Sequence, residues 1–211
     1  YLAAYENSQP QYEAEKVAQT FLSRDFDTLF NYEDQSLFTD ETKQQYVDYM
    51  NELTSGMNIT YKKTVSGIEG VERYLVKADD VPLGEFTLKK DGQPDEYGFE
   101  GWTLDTMKTT GVLRGETYRV TAPMKSTVYV DGQALSDDKI VERDIPIFTV
   151  EDLPEGAHVP TNCVYEFTRY FGVKEVRVID QYGAENALTE EGSSYTAAFN
   201  YDDERMAGEL E

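Results

Sequence analysis

The sequence contains one cysteine, one histidine and one tryptophan among its 211 residues. The single cysteine, Cys163, excludes an intrachain disulfide, and with His158 as the lone histidine a zinc site would need mostly carboxylate ligands. No stretch of about 18 apolar residues occurs, so we expect no membrane-spanning helix. G-x-S-x-G, H-E-x-x-H, P-loop and G-x-G-x-x-G motifs are missing, so a hydrolase, zincin or nucleotide enzyme has no motif support.

Basic side chains are scarce: 19 Lys and Arg stand against 41 Asp and Glu, which gives a net charge of -22. Nucleic-acid binding is excluded, because it requires a basic surface that displaces phosphate counterions. The acidic field predicts partners that are neutral, cationic or bridged by divalent ions, and predicts no direct binding to anionic wall polymers. With 39% hydrophobic and 13% aromatic residues, the chain has enough apolar surface to fold.

The first half begins with a polar lead-in, residues 1–10, followed by three segments of helical periodicity. The segments begin near Gln11, Arg24 and Asp40, and Thr39 is the predicted N-cap of the third. Their apolar stripes are Ala14, Val17, Ala18 and Phe21, then Phe26, Leu29 and Phe30, then Tyr46, Val47, Met50 and Leu53.

The period then changes to two, which predicts four half-buried antiparallel strands. Their inward residues are Ile59, Tyr61 and Val65, then Tyr74, Val76 and Ala78, then Phe86 and Leu88, then Trp102 and Leu104. Asp91-Gly92 is the predicted turn between the third and fourth strands. Three helices followed by four strands predict an α+β domain over residues 11–112.

Residues 113–200 carry short strand patterns without a helical period, and this predicts a small all-β sandwich. The expected strands are Tyr118–Ala122, Thr127–Val130, Ile145–Thr149, Cys163–Arg169, Glu175–Asp180 and Tyr195–Phe199. Asp131-Gly132 and Tyr182-Gly183 are the predicted turns. Residues 201–211 are an acidic tail or the start of a truncated element.

The first half resembles the NTF2-like (cystatin-like) superfamily, in which helices close a curved antiparallel sheet into a cone. The likeness covers residues 11–112 and is carried by the segment RDFDTL and by a Gly-x-Trp-x-Leu strand, spelled GWTL. The pairing of this unit with a β-domain containing TVYVDGQAL is similar to the extracytoplasmic parts of Gram-positive membrane-anchored proteins, such as the teicoplanin-resistance-associated membrane proteins. The resemblance implies an N-terminal NTF2-like domain, three helices on a curved sheet, followed by a β-sandwich.

Candidate chemical groups are few. Asp79 and Asp80 at a strand end are conceivable bases, although turn carboxylates in solvent explain them as well. Cys163 alternates in phase with aromatic residues, which favours a buried core role over a thiol paired with His158. We predict no catalytic residue, no metal ligand and no cofactor. Calcium binding stays open for three acidic loops, which contain Asp91, Asp95 and Glu96; Asp137 and Asp138; and Asp202, Asp203 and Glu204.

One set of side chains is a candidate ligand pocket in the first domain. In NTF2-like folds, residues on the inner faces of the helices and the sheet line a pocket, and in a closed fold the same residues form the core. The set consists of Tyr46, Met50, Tyr61, Tyr74, Phe86 and Trp102.

We expect a non-enzymatic, extracytoplasmic binding or interaction module of a bacterial cell-envelope protein. The expected partner is an envelope protein or a neutral or cationic ligand. An anchor or lipoprotein signal is expected upstream of Tyr1, so that this chain makes no membrane contact itself. Two alternatives stay open: a small-molecule isomerase or dehydratase that works in the cone, and a structural spacer between a membrane anchor and a distal domain.

Overall fold

The computed structural model describes residues 1–147 and 159–200, and in them the chain has mixed α+β structure, as predicted. The chain divides into two compact units, Tyr1–Arg114 and Gly115–Glu211. The predictions for His158, for the end of the strand at 145–149 and for the acidic segment 201–211 lie outside the described residues.

The helices of the N-terminal unit agree with the apolar stripes, and most of the polar lead-in is itself helical. Residues 2–7 form a helix, and Pro10 begins the next helix, where its missing N–H costs nothing. The rings of Tyr1 and Tyr5 lie 5.5 and 5.6 Å from that of Phe99. The helices are α1 (Leu2–Asn7), α2 (Pro10–Leu22), α3 (Phe26–Phe30) and α4 (Lys43–Leu53), with a 3-10 turn at Gln35–Leu37.

The start of α4 corrects a second prediction, because its N-cap is Thr42 and not Thr39. The Thr42 hydroxyl oxygen accepts a hydrogen bond from the Gln45 backbone N–H at 3.2 Å. Gln45 Oε1 in turn accepts from the Thr42 N–H at 2.7 Å. This reciprocal capping box needs a Gln or Glu three residues after the cap, which Thr42 has and Thr39 lacks.

Four antiparallel strands in sequential order form the sheet of this unit. They are β1 (Ile59–Thr64), β2 (Val71–Ala78), β3 (Val81–Pro94) and β4 (Glu100–Thr109). The prediction of Val65 as an inward residue is wrong, because β1 ends before it and its side chain is exposed. The predicted turn at Asp91-Gly92 is wrong: the pairing of β3 with β4 shifts register between Lys90 and Pro94 and then continues. The chain turns instead between Asp95 and Phe99, where the Asp95 carboxylate accepts the Tyr97 and Phe99 N–H groups at 2.8 and 3.0 Å.

Helix α2 covers one face of the sheet and contacts all four strands. Its buried residues are the predicted stripe, Ala14, Val17, Ala18 and Phe21. The Phe21 ring lies directly over Gly84 on β3, where a Cβ atom would come within 2.6 Å of it. The glycine thus lets the helix approach the sheet closely, and the inner face of the sheet becomes the core of the unit.

The C-terminal unit consists of two sheets that share one hydrophobic core. The strands are β5 (Glu116–Pro123), β6 (Thr127–Val130), β7 (Gln133–Ala134), β8 (Ile140–Pro146), β9 (Thr161–Arg169), β10 (Val176–Ile179), β11 (Leu188–Glu191) and β12 (Ser194–Ala197). In one sheet the order is β11-β12-β5-β9-β8, with β12 parallel to β5, and in the other it is β10-β6-β7. Strands β7 and β11 were not predicted, and β8 begins five residues before the predicted start at Ile145.

The Asp131-Gly132 turn is confirmed. Both residues have positive φ, 48° and 81°, as a two-residue turn that joins twisted strands requires, and Val130 pairs with Gln133 across it. The Asp131 carboxylate also accepts the backbone N–H groups of Lys174 and Glu175 at 2.9 and 2.8 Å. One side chain therefore links the β6–β7 hairpin to the chain entering β10.

Gly84→Ala should destabilise the N-terminal unit by about 1–3 kcal/mol, because the new methyl group meets the Phe21 ring and the Lys108 carbonyl oxygen. Gly101→Ala is the matched control: the methyl there meets only the exposed Asp91 carboxylate, which can rotate away. It should change the free energy of unfolding by less than about 1 kcal/mol. Urea unfolding of both variants measures the difference, and equal losses would contradict the close approach of α2.

Candidate functional site

The six candidate pocket residues occupy different parts of the N-terminal unit. Tyr46 and Met50 lie on α4 and have no exposed surface. Tyr61, Tyr74 and Phe86 come together on the inner face of the sheet, where Tyr74 and Phe86 stack at 4.9 Å between ring centroids. The Tyr61 centroid lies 6.2 Å from each of the other two.

Trp102 differs from the other members of the set in its surroundings. It is partly exposed, and its cross-strand partner on β3 is the exposed Lys90. One extra residue on β4, Asp105, lies between the pairs Leu88–Leu104 and Thr87–Thr106. This bulge changes the alternation, so the buried residues further along β4 are Met107 and Thr109.

Tyr46 lies at the centre of a partly buried hydrogen-bonded network. Its hydroxyl donates to Glu33 Oε1 at 3.1 Å, and the same oxygen accepts the Thr109 backbone N–H at 2.9 Å. The Phe30 ring lies 5.1 Å from the Tyr46 ring. Burial, followed by the charge and hydrogen bond of Glu33, raises the pKa of Tyr46 far above its usual value. The phenol therefore stays protonated, and this network joins α4 to the end of β4.

Tyr74 is also buried, at 3% exposure, but its hydroxyl has no hydrogen-bond partner within the described residues. A buried polar group without a partner costs about 1–3 kcal/mol. Burial, with smaller effects from Glu72 and Tyr61, raises the pKa of Tyr74. Tyr61 beside it is partly exposed, so this edge of the aromatic cluster borders solvent. The Tyr74 hydroxyl is thus a buried group of the set that could still bind a polar atom of a ligand.

The conceivable bases, Asp79 and Asp80, are exposed in the turn between β2 and β3. Asp79 has a positive φ of 49°, its N–H donates to the Asn58 carbonyl at 2.8 Å, and its carboxylate accepts the Asn58 N–H at 3.0 Å. These bonds tie the turn to the chain entering β1. The interpretation of both residues as turn carboxylates in solvent is confirmed.

Cys163 lies in the core of the C-terminal unit, as its alternation with aromatic residues predicts. Its Sγ is 3.6 Å from the Ala122 carbonyl oxygen, and burial raises the pKa of the thiol. A thiol with a raised pKa is a poor nucleophile at neutral pH.

Carboxylates in two of the acidic loops accept hydrogen bonds from groups within their own loop. Asp91 accepts the Gln93 N–H at 3.0 Å, and the Asp138 carboxylate accepts the Ser136 hydroxyl. Over residues 1–147 and 159–200, no three His, Cys, Asp or Glu side chains are grouped so that they could hold a metal ion. The third acidic loop, Asp202, Asp203 and Glu204, is not among the described residues.

Comparisons of the chain with protein-family models, with curated proteins and with solved structures found no match. Within the described part of the chain, every helix is too short or too polar to cross a bilayer.

The outer face of the N-terminal sheet is a feature that the sequence analysis missed. Register places five basic side chains on it, Lys62, Arg73, Lys77, Lys89 and Lys108, with two acidic ones among them, Glu85 and Asp105. We call these seven residues the cationic face. A third carboxylate, that of Asp91, lies near Gly101, beyond the register shift that follows Lys90. The sequence contains a signal for this face: alternating residues of a strand share a face, so the basic residues at the outward positions of each predicted strand indicate a positively charged surface.

Two variants that each remove one tyrosine hydroxyl should differ in their effect on stability. Tyr46→Phe removes the donor to Glu33 and should cost about 1–3 kcal/mol. Tyr74→Phe removes an unpaired buried hydroxyl and should leave stability unchanged or raise it by about 1 kcal/mol. Urea unfolding of both variants measures the two changes. A loss at Tyr74 as large as that at Tyr46 would mean that the Tyr74 hydroxyl has an ordered partner.

Proposed function

We propose that the chain is a non-enzymatic binding or interaction module of a bacterial cell envelope that acts through its surface. The observation that carries the proposal is the filling of the inner face, where a pocket was a candidate. Tyr46, Met50 and Phe86 have no exposed surface, and the α2 stripe packs over the same face. A filled interior leaves the outer surfaces for binding.

We further propose that the first unit is an NTF2-like cone and the second a small β-sandwich. The four-stranded meander with α2 across one face supports the first assignment. Strands β5 and β9 of one sheet and β6 and β10 of the other bury side chains in a single cluster, which supports the second.

The proposed location is extracytoplasmic, on the cell surface. The chain has a single thiol, and Cys163 is buried, which suits an oxidising environment because the thiol is shielded from reagents. The proposed partner is another envelope protein.

A second candidate function, a small-molecule enzyme of the isomerase or dehydratase type, is favoured by one observation. The Tyr74 hydroxyl is buried without a partner beside the partly exposed Tyr61, as expected for a group that hydrogen-bonds a ligand. The two functions differ in whether the inner face admits an apolar molecule.

Nile red, an uncharged apolar dye, tests the interior. A filled inner face should leave its fluorescence at the level in buffer, because no apolar cavity accepts the dye. Saturable binding at one dye per chain, weakened in a Tyr61→Ala variant, would contradict the interaction module and favour the ligand pocket. Tyr12→Ala, at an exposed tyrosine on α2, is the control variant.

Location has its own test. In cells that express the full-length protein, a membrane-impermeant amine reagent should label it before lysis as completely as after lysis. The lysines of the cationic face are partly or fully exposed and supply reactive amines. Labelling only after lysis, in parallel with a cytosolic control protein, would contradict the extracytoplasmic location.

A further inference from the structure

The charge on the outer face of the N-terminal sheet is opposite in sign to that of the chain. The whole chain has more than twice as many acidic as basic residues, 41 against 19. On the cationic face the ratio reverses, with five basic side chains and two acidic ones. The remaining outward positions are mainly threonines, whose short hydroxyl side chains keep the surface flat: Thr60, Thr64, Thr87, Thr103 and Thr106.

Part of the positive charge is neutralised within the face. Glu85 pairs with Arg73 and with Lys108, whose Nζ is 3.4 Å from it, and Asp105 lies 3.1 Å from Lys89 Nζ. Burial opposes ionisation of Glu85, but the hydrogen bonds and charges of Arg73 and Lys108 outweigh it and lower its pKa. These pairs hold their side chains in place and leave an excess of positive charge.

Lys62 and Lys77 have no ion-pair partner in the part of the chain that the structure describes. Lys62 is opposite Leu75, and Lys77 lies two residues further along β2, so the two lysines are diagonal neighbours. Diagonal neighbours on adjacent strands are about 7–8 Å apart. Carboxylates at positions i and i+2 of an extended peptide are separated by about 6.5–7 Å and match this spacing.

We propose that the cationic face is a docking surface for a short, extended, acidic peptide segment of a partner protein. This inference rests on the proposed function as an interaction module and names the chemistry of the partner. A short segment fits better than a long polyanion, because the net charge of -22 repels the further charges of a polymer that extends beyond the four strands. The attraction acts locally, between the carboxylates of the segment and the two unpaired lysines, whose charges are opposite.

The test uses the full chain and a dye-labelled peptide, Glu-Ser-Glu-Ser-Glu-Ser, followed by fluorescence anisotropy at low and physiological salt. The wild-type protein should bind, and more weakly as salt rises. Lys62→Glu with Lys77→Glu should weaken binding about tenfold or more, and the Gln pair should weaken it less. The matched control, Lys125→Glu with Lys174→Glu, makes the same charge change at exposed lysines of the other unit and should stay within about twofold.

Several outcomes would overturn the docking surface. If peptide binding weakened equally in both charge-reversed variants, the peptide would respond only to the net charge of the whole chain and not to the cationic face. Binding of inorganic polyphosphate but not of the peptide would identify a different class of partner. Self-association of the wild-type chain that is lost in the Lys62 and Lys77 variants would identify a second copy as the occupant. Self-association that appears only in those variants would mean that the two lysines serve to limit aggregation at the edge of the sheet.

The experiments distinguish failure of the docking surface from failure of the proposed interaction module. If the peptide does not bind while Nile red stays excluded, the assignment of this face is wrong and the interaction module stands. If Nile red binds, the interaction module falls. Circular dichroism melting of each variant confirms folding, which the exposed or partly exposed positions of both lysines should preserve.

Discussion

The packing of α2 on the four-stranded sheet determines the rest of the N-terminal unit. It depends on small residues at the contact, since Ala14 and Ala18 on the helix and Gly84 on β3 allow Phe21 to reach the sheet. The apolar area buried by this contact fills the inner face, and burial of such area is the main force that stabilises a fold. Binding at the inner face would therefore have to displace side chains of the chain itself.

When one face of a sheet packs in a core, the alternate side chains of each strand point to solvent. In this sheet the solvent-facing side chains carry a net positive charge, whereas those of the other face are mainly apolar. The inner face takes Tyr74, Phe86 and Leu88, while the outer face carries the excess of lysine. The acidic residues keep the chain soluble through a strong net charge, and the small basic area is distinct from that background. The same strands thus determine both the core and the proposed binding surface.

Much of the fold follows from local patterns in the sequence. The sequence predicts the apolar stripe from Ala14 to Phe21 and the alternating burial along β2 and β3, because each pattern lies within a single helix or strand. The prediction of a turn at Asp91-Gly92 was wrong because a glycine with positive φ occurs at a strand irregularity as readily as in a hairpin turn. The parallel pairing of β12 with β5 joins residues far apart in the chain, and no local pattern encodes it. The unpaired Tyr74 hydroxyl likewise depends on neighbours that the sequence does not specify.

The central claim is that the N-terminal unit binds through its outer face because its inner face is filled. Chemical-shift mapping of the isotope-labelled chain during titration with the acidic peptide tests both halves of this claim together. We expect perturbed amides at outward positions of β1 and β2, around Lys62 and Lys77, with those of α2 unchanged. Perturbations centred on Tyr61, Tyr74 and α2 would place the ligand on the inner face and contradict the account.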